Sequence, residues 1–429
     1  MKKNKTKIIK LVIATVTLCF ITNTIPVVLG EYQQPPPQWD PTLEVLWYES
    51  YYDNAPALRI AADQDNSVYV CGGGYYDSGT VIKYNSTGDR KWVSNPTDLA
   101  ESIAISRYIS EPIGVPGQGA LTVAETLQFI YGTSDVNDID NIWDVACDNN
   151  DGVFACGCKG NLDPEISIIS YIVKLDADTG EEIWNTSFLG ISILNAITVD
   201  SNGYVYAVGC TITFSGDQLL TTQGLNIKLN PSGCLCWIKA DGMSGPVMLY
   251  DVAADNQNHI YTAGIIFTDD ELSAGGTFLR ERCTIFGTIV NTYSTTTDDT
   301  LIYTIVLDLP NSALYTVGMG LSAHTGIIGK YTLSLSKSYS YATADNGFIG
   351  GRLFGPSFLI VTSENSEDQY TIAIMSKANG HLLKGFCIGE EHGNGFSAQD
   401  LVVDSDDNVI VSGGQSQMDT IKCQITGAW

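Results

Sequence analysis

The sequence predicts an all-β protein, a seven-bladed β-propeller of four-stranded antiparallel blades whose last blade is closed by an N-terminal strand. Three observations carry this reading. One segment recurs seven times, each copy has the residue grammar of β-hairpins, and the strand missing from the last copy stands ahead of the first.

The recurring segment reads "LRIAADQDNSVYVCGG" from Leu58, "WDVACDNNDGVFACGC" from Trp143, "NAITVDSNGYVYAVGC" from Asn195 and "YDVAADNQNHIYTAGI" from Tyr250. It returns as "YTIVLDLPNSALYTVG" from Tyr303 and "QDLVVDSDDNVIVSGG" from Gln399, with a weaker copy, "GGRLFGPSFLIVTS", from Gly350. The marker residues Asp63, Asp148, Asp200, Asp255, Asp308, Pro356 and Asp404 are spaced by 85, 52, 55, 53, 48 and 48 residues, so one period of about fifty governs all but the first interval. Each copy alternates, turns through Asp, Asn, Ser or Gly, and alternates again up to a glycine.

A second strand-turn-strand half follows in several units: "GTVIKYNSTGDRKWV" from Gly79, "SYIVKLDADTGEEIWNT" from Ser170 and "GLNIKLNPSGCLCWIK" from Gly224, more loosely "GIIGKYTLSLSKSYSY" from Gly326. Trp92, Trp184 and Trp237 each stand four residues after the turn glycine; Tyr293, Tyr341 and Phe386 lie near that place in units four to six. The last unit ends at "DTIKCQITGAW" with no room for a fourth strand, whereas "TLEVLWYES", 42–50, precedes the first unit and carries Trp47. Pairing these two removes an open sheet edge. Residues 96–140 fill the long first interval as an elaborated loop or subdomain on one face; a degenerate eighth blade is the rival.

The pattern D-x-x-[NG]-x-[VI]-Y-x-x-G, followed by "IKYNSTGDRKW", resembles the seven-bladed (SBBP-type) repeats of bacterial and archaeal secreted and surface proteins, over about residues 43–429. That resemblance implies the fold and an exported setting, and it implies no particular chemistry.

Charged residues are 16% of the chain, yet the net charge is −26 because Lys and Arg are scarce. Nucleic acid is disfavoured as a partner, as is an anionic membrane surface. "MKKNKTKIIK" and the apolar run behind it read as an export signal, 1–30, with an uncleaved anchor as the alternative and the sole expected contact with a membrane. The prolines of "EYQQPPPQWDP" make 31–41 an extended spacer. The expected location is extracellular or on the cell surface, and the expected partner a protein or a glycan.

The Asp-rich turns start like calcium loops, but the sixth and twelfth positions counted from Asp63 are Val68 and Gly74, and from Asp404 they are Val409 and Gln415. A helix-loop-helix calcium site needs Gly and a bidentate acid there, so the acids are read as turn formers. No metal and no cofactor is expected. A polar column lies four residues before the turn marker, five in the third unit, where innermost strands line a central channel: Arg59, Asp144, Asn195, Asp251, Thr304, Arg352 and Asp400. These side chains either hydrogen-bond neighbouring blades and channel water or bind a cation or a polar ligand at the channel mouth.

Enzymatic signals are sparser. "LDADTGEEIW", 175–184, resembles the tryptophan-docking repeat of pyrroloquinoline-quinone dehydrogenases, but as one good copy without an adjacent Cys-Cys pair. "NSTGDRKW" and "NPSGCLCW" lack the Asp of sialidase-type repeats. The expected function is that of a binding or structural module; Glu390, Glu391 and His392 in "GEEHGNGF" are the best acid-base candidates, and a lyase or hydrolase with its site on the loop face or channel mouth is the alternative. Cys147, Cys156, Cys158, Cys210, Cys234 and Cys236 are disulfide candidates, with buried thiols as the other reading. Asn85-Ser86-Thr87 and Asn185-Thr186-Ser187 are N-glycosylation sequons.

Overall fold

The computed structural model describes residues 41–426 apart from 52–56, 74–78, 96–137, 149–151, 162–166, 189–191, 216–217, 243–244, 269–274, 321–324, 344–346, 364–370, 389–397 and 415–417. The export signal, nearly all of the spacer, most of the expected insertion and Glu390, Glu391 and His392 therefore lie outside the described residues.

Seven antiparallel four-stranded sheets form the protein, and six of them are contiguous in sequence. Their innermost strands are Ala57–Ala62, Asp138–Cys147, Ser192–Val199, Val247–Ala254, Thr300–Asp308, Phe348–Phe354 and Ala398–Val403, which number blades one to seven. In blade seven the outer strand is Thr42–Tyr51, paired antiparallel with Met418–Thr426. The ring thus closes with the N-terminal strand, as the sequence predicts. Because blade two starts at Asp138, the insertion read as 96–140 gives its last three residues to a strand. Among the described residues the only helical element is one 3-10 turn, Leu309–Asn311.

Alternation within each strand builds an apolar layer between every pair of blades. Tyr69, Cys71 and Val81 of blade one pack with Ile142, Val153, Ala155 and Val173 of blade two, and the last seam joins Ile60, Val68 and Val70 of blade one to Val402, Ile410 and Met418 of blade seven. Burying both faces is what makes the strands read as Val, Ile and Tyr runs.

The acids of the repeat are turn formers. Oδ1 of Asp63 accepts the backbone N–H of Asp65 (3.0 Å) and Ser67 (2.8 Å). Oδ1 of Asp200 accepts those of Asn202 and Tyr204, and Oδ1 of Asp404 those of Asp406 and Asn408. Tyr69 and Tyr206 donate their hydroxyls to the second oxygens of Asp63 and Asp200.

The glycine ending the copies has a further role in four blades. In blades two to five it does not end the strand but lies inside it, opposite a β-bulge on the innermost strand, whereas Gly72 and Gly413 do end theirs. Gly157 pairs with Ile142 immediately before the register slips to Asp144, and Gly209 pairs with Leu194 before the slip to Ala196. A Cβ on Gly157 would stand 1.9 Å from the carbonyl oxygen of Asn141, and one on Gly209 1.9 Å from that of Ile193, so only glycine fits against the bulged backbone.

Outer strands lock onto the next blade. The indole of Trp92 lies against Gly180 of blade two, where a Cβ would come within 2.8 Å of the ring, and Trp47, Trp184 and Trp237 dock likewise on Gly88, Gly233 and Gly287. In blade five the turn carries Leu335 at φ 62 instead of glycine, and there Tyr293 of blade four meets Tyr331 edge-on at 5.2 Å. Tyr341 of blade five packs instead on a retained glycine, Gly380 of blade six.

Candidate functional site: the central channel

The seven innermost strands surround a cavity of about 510 Å3 lined by Arg59, Asp144, Asp251, Arg352 and Asp400, with apolar wall from Ala61, Ala146, Val306 and Val402. The bulge before each of these positions adds one residue and re-aims the strand, which brings the polar column to the channel.

The bulge also corrects the column in blade three. Asn195 is the extra residue of the bulge, between the pairs Leu194 with Gly209 and Ala196 with Val208. The position equivalent to Asp144 is therefore Ala196, and Asn195 instead donates its Nδ2–H to the carbonyl of Leu249 in blade four, 2.7 Å away. A five-residue spacing to Asp200, against four elsewhere, is the signal that distinguishes it.

Three carboxylates repeat one arrangement. Oδ1 of Asp144 accepts the N–H of Val145, and Oδ2 that of Ile197 in the following blade, both at 2.8 Å. Asp251 accepts from Val252 and, at 2.6 Å, from Ile305 of blade five; Oδ2 of Asp400 lies 3.4 Å from the N–H of Ile60 in blade one. Thr304 donates its hydroxyl to the carbonyl of Ile349 in blade six. The column thus stitches blade to blade, and Asp144, Asp251 and Asp400 also line the cavity.

The guanidinium of Arg59 reaches the carbonyl of Tyr303 in blade five, 3.4 Å away, and its Nη1 is 4.0 Å from Oδ1 of Asp400. Arg352 donates to the carbonyl of Gly351 at 2.8 Å and to Oδ2 of Asp400 at 3.4 Å. Burial pushes the Asp144 carboxyl up to about 7 against the opposing pull of Arg59, and burial raises that of Asp251 as well. A column of mixed, partly neutralised charge can hold dipolar groups in a low-dielectric space.

The other predicted residues fall elsewhere. Cys147, Cys156, Cys158, Cys210, Cys234 and Cys236 are all free thiols in the structure. Cys156 packs in the seam with Phe154, Leu194 and Ala207, Cys147 donates to the carbonyl of Ala62, and Cys234 and Cys236 are exposed on blade three. Asn85 caps a turn, its Oδ1 accepting the N–H of Thr87 and Asp89, and Asn185 lies half-buried in the outer strand of blade two.

One recurrent residue escapes the sequence reading: a lysine on the third strand of most blades. Lys83, Lys228, Lys330 and Lys422 each donate to a turn carbonyl of the next blade, those of Ala177, Thr284, Lys377 and Ser86. The "IKY", "IKL", "GKY" and "IKC" of the second halves were its signal.

No protein-family model and no curated protein matches the sequence. Among solved structures the chain is similar to the WD40 β-propeller domain of Doa1, with a TM-score of 0.53 and 12% identity over 88% of this chain and 96% of that one. It is similar also to the WD40 domain of Neurospora crassa Pan2, at 0.53 and 12% over 91% and 97%. At such identity the likeness is one of fold. The chain is a seven-bladed β-propeller.

Proposed function

We propose that this propeller is an exported binding module, displayed outside the cytoplasm, with the channel as its recognition site for a protein or glycan group. The observation that supports it is the cavity of about 510 Å3 ringed by Arg59, Asp144, Asp251, Arg352 and Asp400. Its size and its few convergent polar groups suit a small ligand or the tip of a larger one. Export rests on the N-terminal pattern of lysines and apolar run and on the acidic, base-poor composition.

The test compares the wild type with Thr198→Trp, which fills the channel from a half-buried lining position. Both are run on a glycan array and on a thermal-shift panel of small polar molecules, with circular dichroism as a folding check. Ligands that bind the wild type and are lost in the folded plugged protein are expected; ligands retained by the plugged protein would move the site off the channel. Cell fractionation with N-terminal sequencing tests export, the expected mature terminus lying near residue 31.

A further inference from the structure

Charge is unevenly distributed around the channel. Arg352, Asp400 and Arg59 belong to the consecutive blades six, seven and one, and the Arg59 guanidinium extends across the channel to the carbonyl of Tyr303 in blade five, so the two guanidiniums and Asp400 span the arc from blade five to blade one. Across blades two to five the column reads Asp144, Ala196, Asp251 and Thr304, two carboxylates and no cation.

These groups keep bonding capacity toward the cavity. The Arg352 side chain is 34% exposed and, among the described residues, directs two bonds to Gly351 and Asp400 out of five available N–H donors. Oδ1 of Asp400 accepts no hydrogen bond among the described residues although the side chain is 1% exposed. Each carboxylate oxygen has two lone pairs, so Asp144 and Asp251 can accept a further donor beside the backbone N–H already bound to each oxygen.

The field of the whole chain narrows the choice. A net charge of −26 opposes the approach of a small anion, and Arg59 and Arg352 offset two of the three channel carboxylates, which weakens the local pull on a simple cation. A molecule neutral overall, with both charges built in, meets neither obstacle and matches both walls.

We infer that the channel binds a small zwitterion of the amino-acid class, its carboxylate against Arg59 and Arg352 and its ammonium toward Asp144 and Asp251. This rests on the channel being the recognition site. A volume of about 510 Å3 accommodates an amino acid or a dipeptide.

Calorimetric titration of the full chain with the twenty L-amino acids and a set of dipeptides tests the assignment, each hit being repeated as its decarboxylated amine and its deaminated acid. The expected result is a zwitterion whose amine and acid each bind at least about ten-fold more weakly, the difference of one lost charged contact. Arg352→Gln should weaken the zwitterion by a similar factor, and Arg352→Lys, which keeps the charge but not the fork, by less. Absence of zwitterion binding, equal binding of amine or acid, or an unchanged affinity in Arg352→Gln would overturn the inference. If other ligands still bind the wild type and are lost in Thr198→Trp, the channel stands as the site while the zwitterion falls. Zwitterion binding undiminished in Thr198→Trp would sink both.

Discussion

Trp92 of blade one donates its indole N–H to the carbonyl oxygen of Ala177 in blade two, 2.9 Å away. Lys83 donates to the same oxygen at 2.8 Å, and the turn containing it presents Gly180, φ 73, to the face of the indole. Trp237 and Lys228 converge in the same way on Thr284, and Trp47 and Lys422 on Ser86. In blades one, three and seven the third and fourth strands therefore grip one carbonyl of the next.

Replacing Trp92 separates the two parts of that grip. Trp92→Phe keeps the ring contact and loses one hydrogen bond, so a cost of about 1 kcal/mol is expected. Trp92→Ala removes the half-buried ring as well, with an expected loss of about 3 kcal/mol. Urea unfolding of the two variants reads the difference, and equal stabilities would show that the indole contributes nothing beyond its N–H.

A buried ion pair joins blades five and six. Nζ of Lys377, whose side chain is 8% exposed, lies 2.5 Å from Oδ2 of Asp308, 2% exposed. Removing one partner strands the other charge away from water, so Lys377→Met is expected to cost about 3–5 kcal/mol. Adding Asp308→Asn should recover part of the loss, and a double-mutant cycle measures the coupling. Strictly additive losses would mean that the two groups do not sense each other.

How much of this was legible follows from what sequence spacing reports. The seven units, the pairing of Thr42–Tyr51 with Met418–Thr426 and the turn role of Asp63 and Asp404 depend on local pattern, and all were readable. Five residues of the predicted column line the cavity, Thr304 bonds to blade six instead, and the residue in blade three was misplaced because a bulge shifts a side chain by one residue without a fixed residue type to mark it. Trp92 was visible as a period but its receiver was not: the glycine four residues before it belongs to its own blade, whereas it docks on Gly180 of the next. Lys83 was hidden for a related reason, since a charged residue on a strand looks like a solvent-facing position until the neighbouring carbonyl is in place.

Asp144 gives the fold an unusual pH response. Its carboxyl is raised from 3.8 to about 7 in the folded protein, so the folded state holds the proton more tightly than the unfolded one. The stabilisation is complete below about pH 4 and is lost as pH rises to about 7, at up to about 1.4 kcal/mol per pH unit. Thermal unfolding between pH 4 and pH 8 should fall more steeply for the wild type than for Asp144→Asn. Parallel curves would place the raised carboxyl elsewhere.

Thiol chemistry should follow burial. Cys234, Cys236 and Cys387 are exposed, whereas Cys71, Cys156, Cys158, Cys210 and Cys423 are buried and burial pushes the Cys210 and Cys423 thiols up to about 12. In a chain starting at residue 31, three thiols are expected to react promptly with a disulfide reagent in the native state and ten after denaturation without reductant. A lower denatured count would establish disulfides among the ten cysteines.

Ring closure is the most severe test of the architecture. Thr42–Tyr51 covers the backbone of Met418–Thr426 along nine paired positions, Tyr48 donates to Asp419 at 2.8 Å, and Trp47 docks on Gly88 of blade one. A chain beginning at residue 52 would leave Met418–Thr426 as an open edge and the turn at Gly88 uncovered, inviting intermolecular pairing. Compared with a chain beginning at residue 41, it should unfold at a lower temperature and scatter light at micromolar concentration. A peptide of residues 41–51 added in excess should restore both properties by pairing in trans, because the missing strand is held by noncovalent contacts alone. A truncated chain as stable and monodisperse as the longer one would show that blade seven does not need its N-terminal strand.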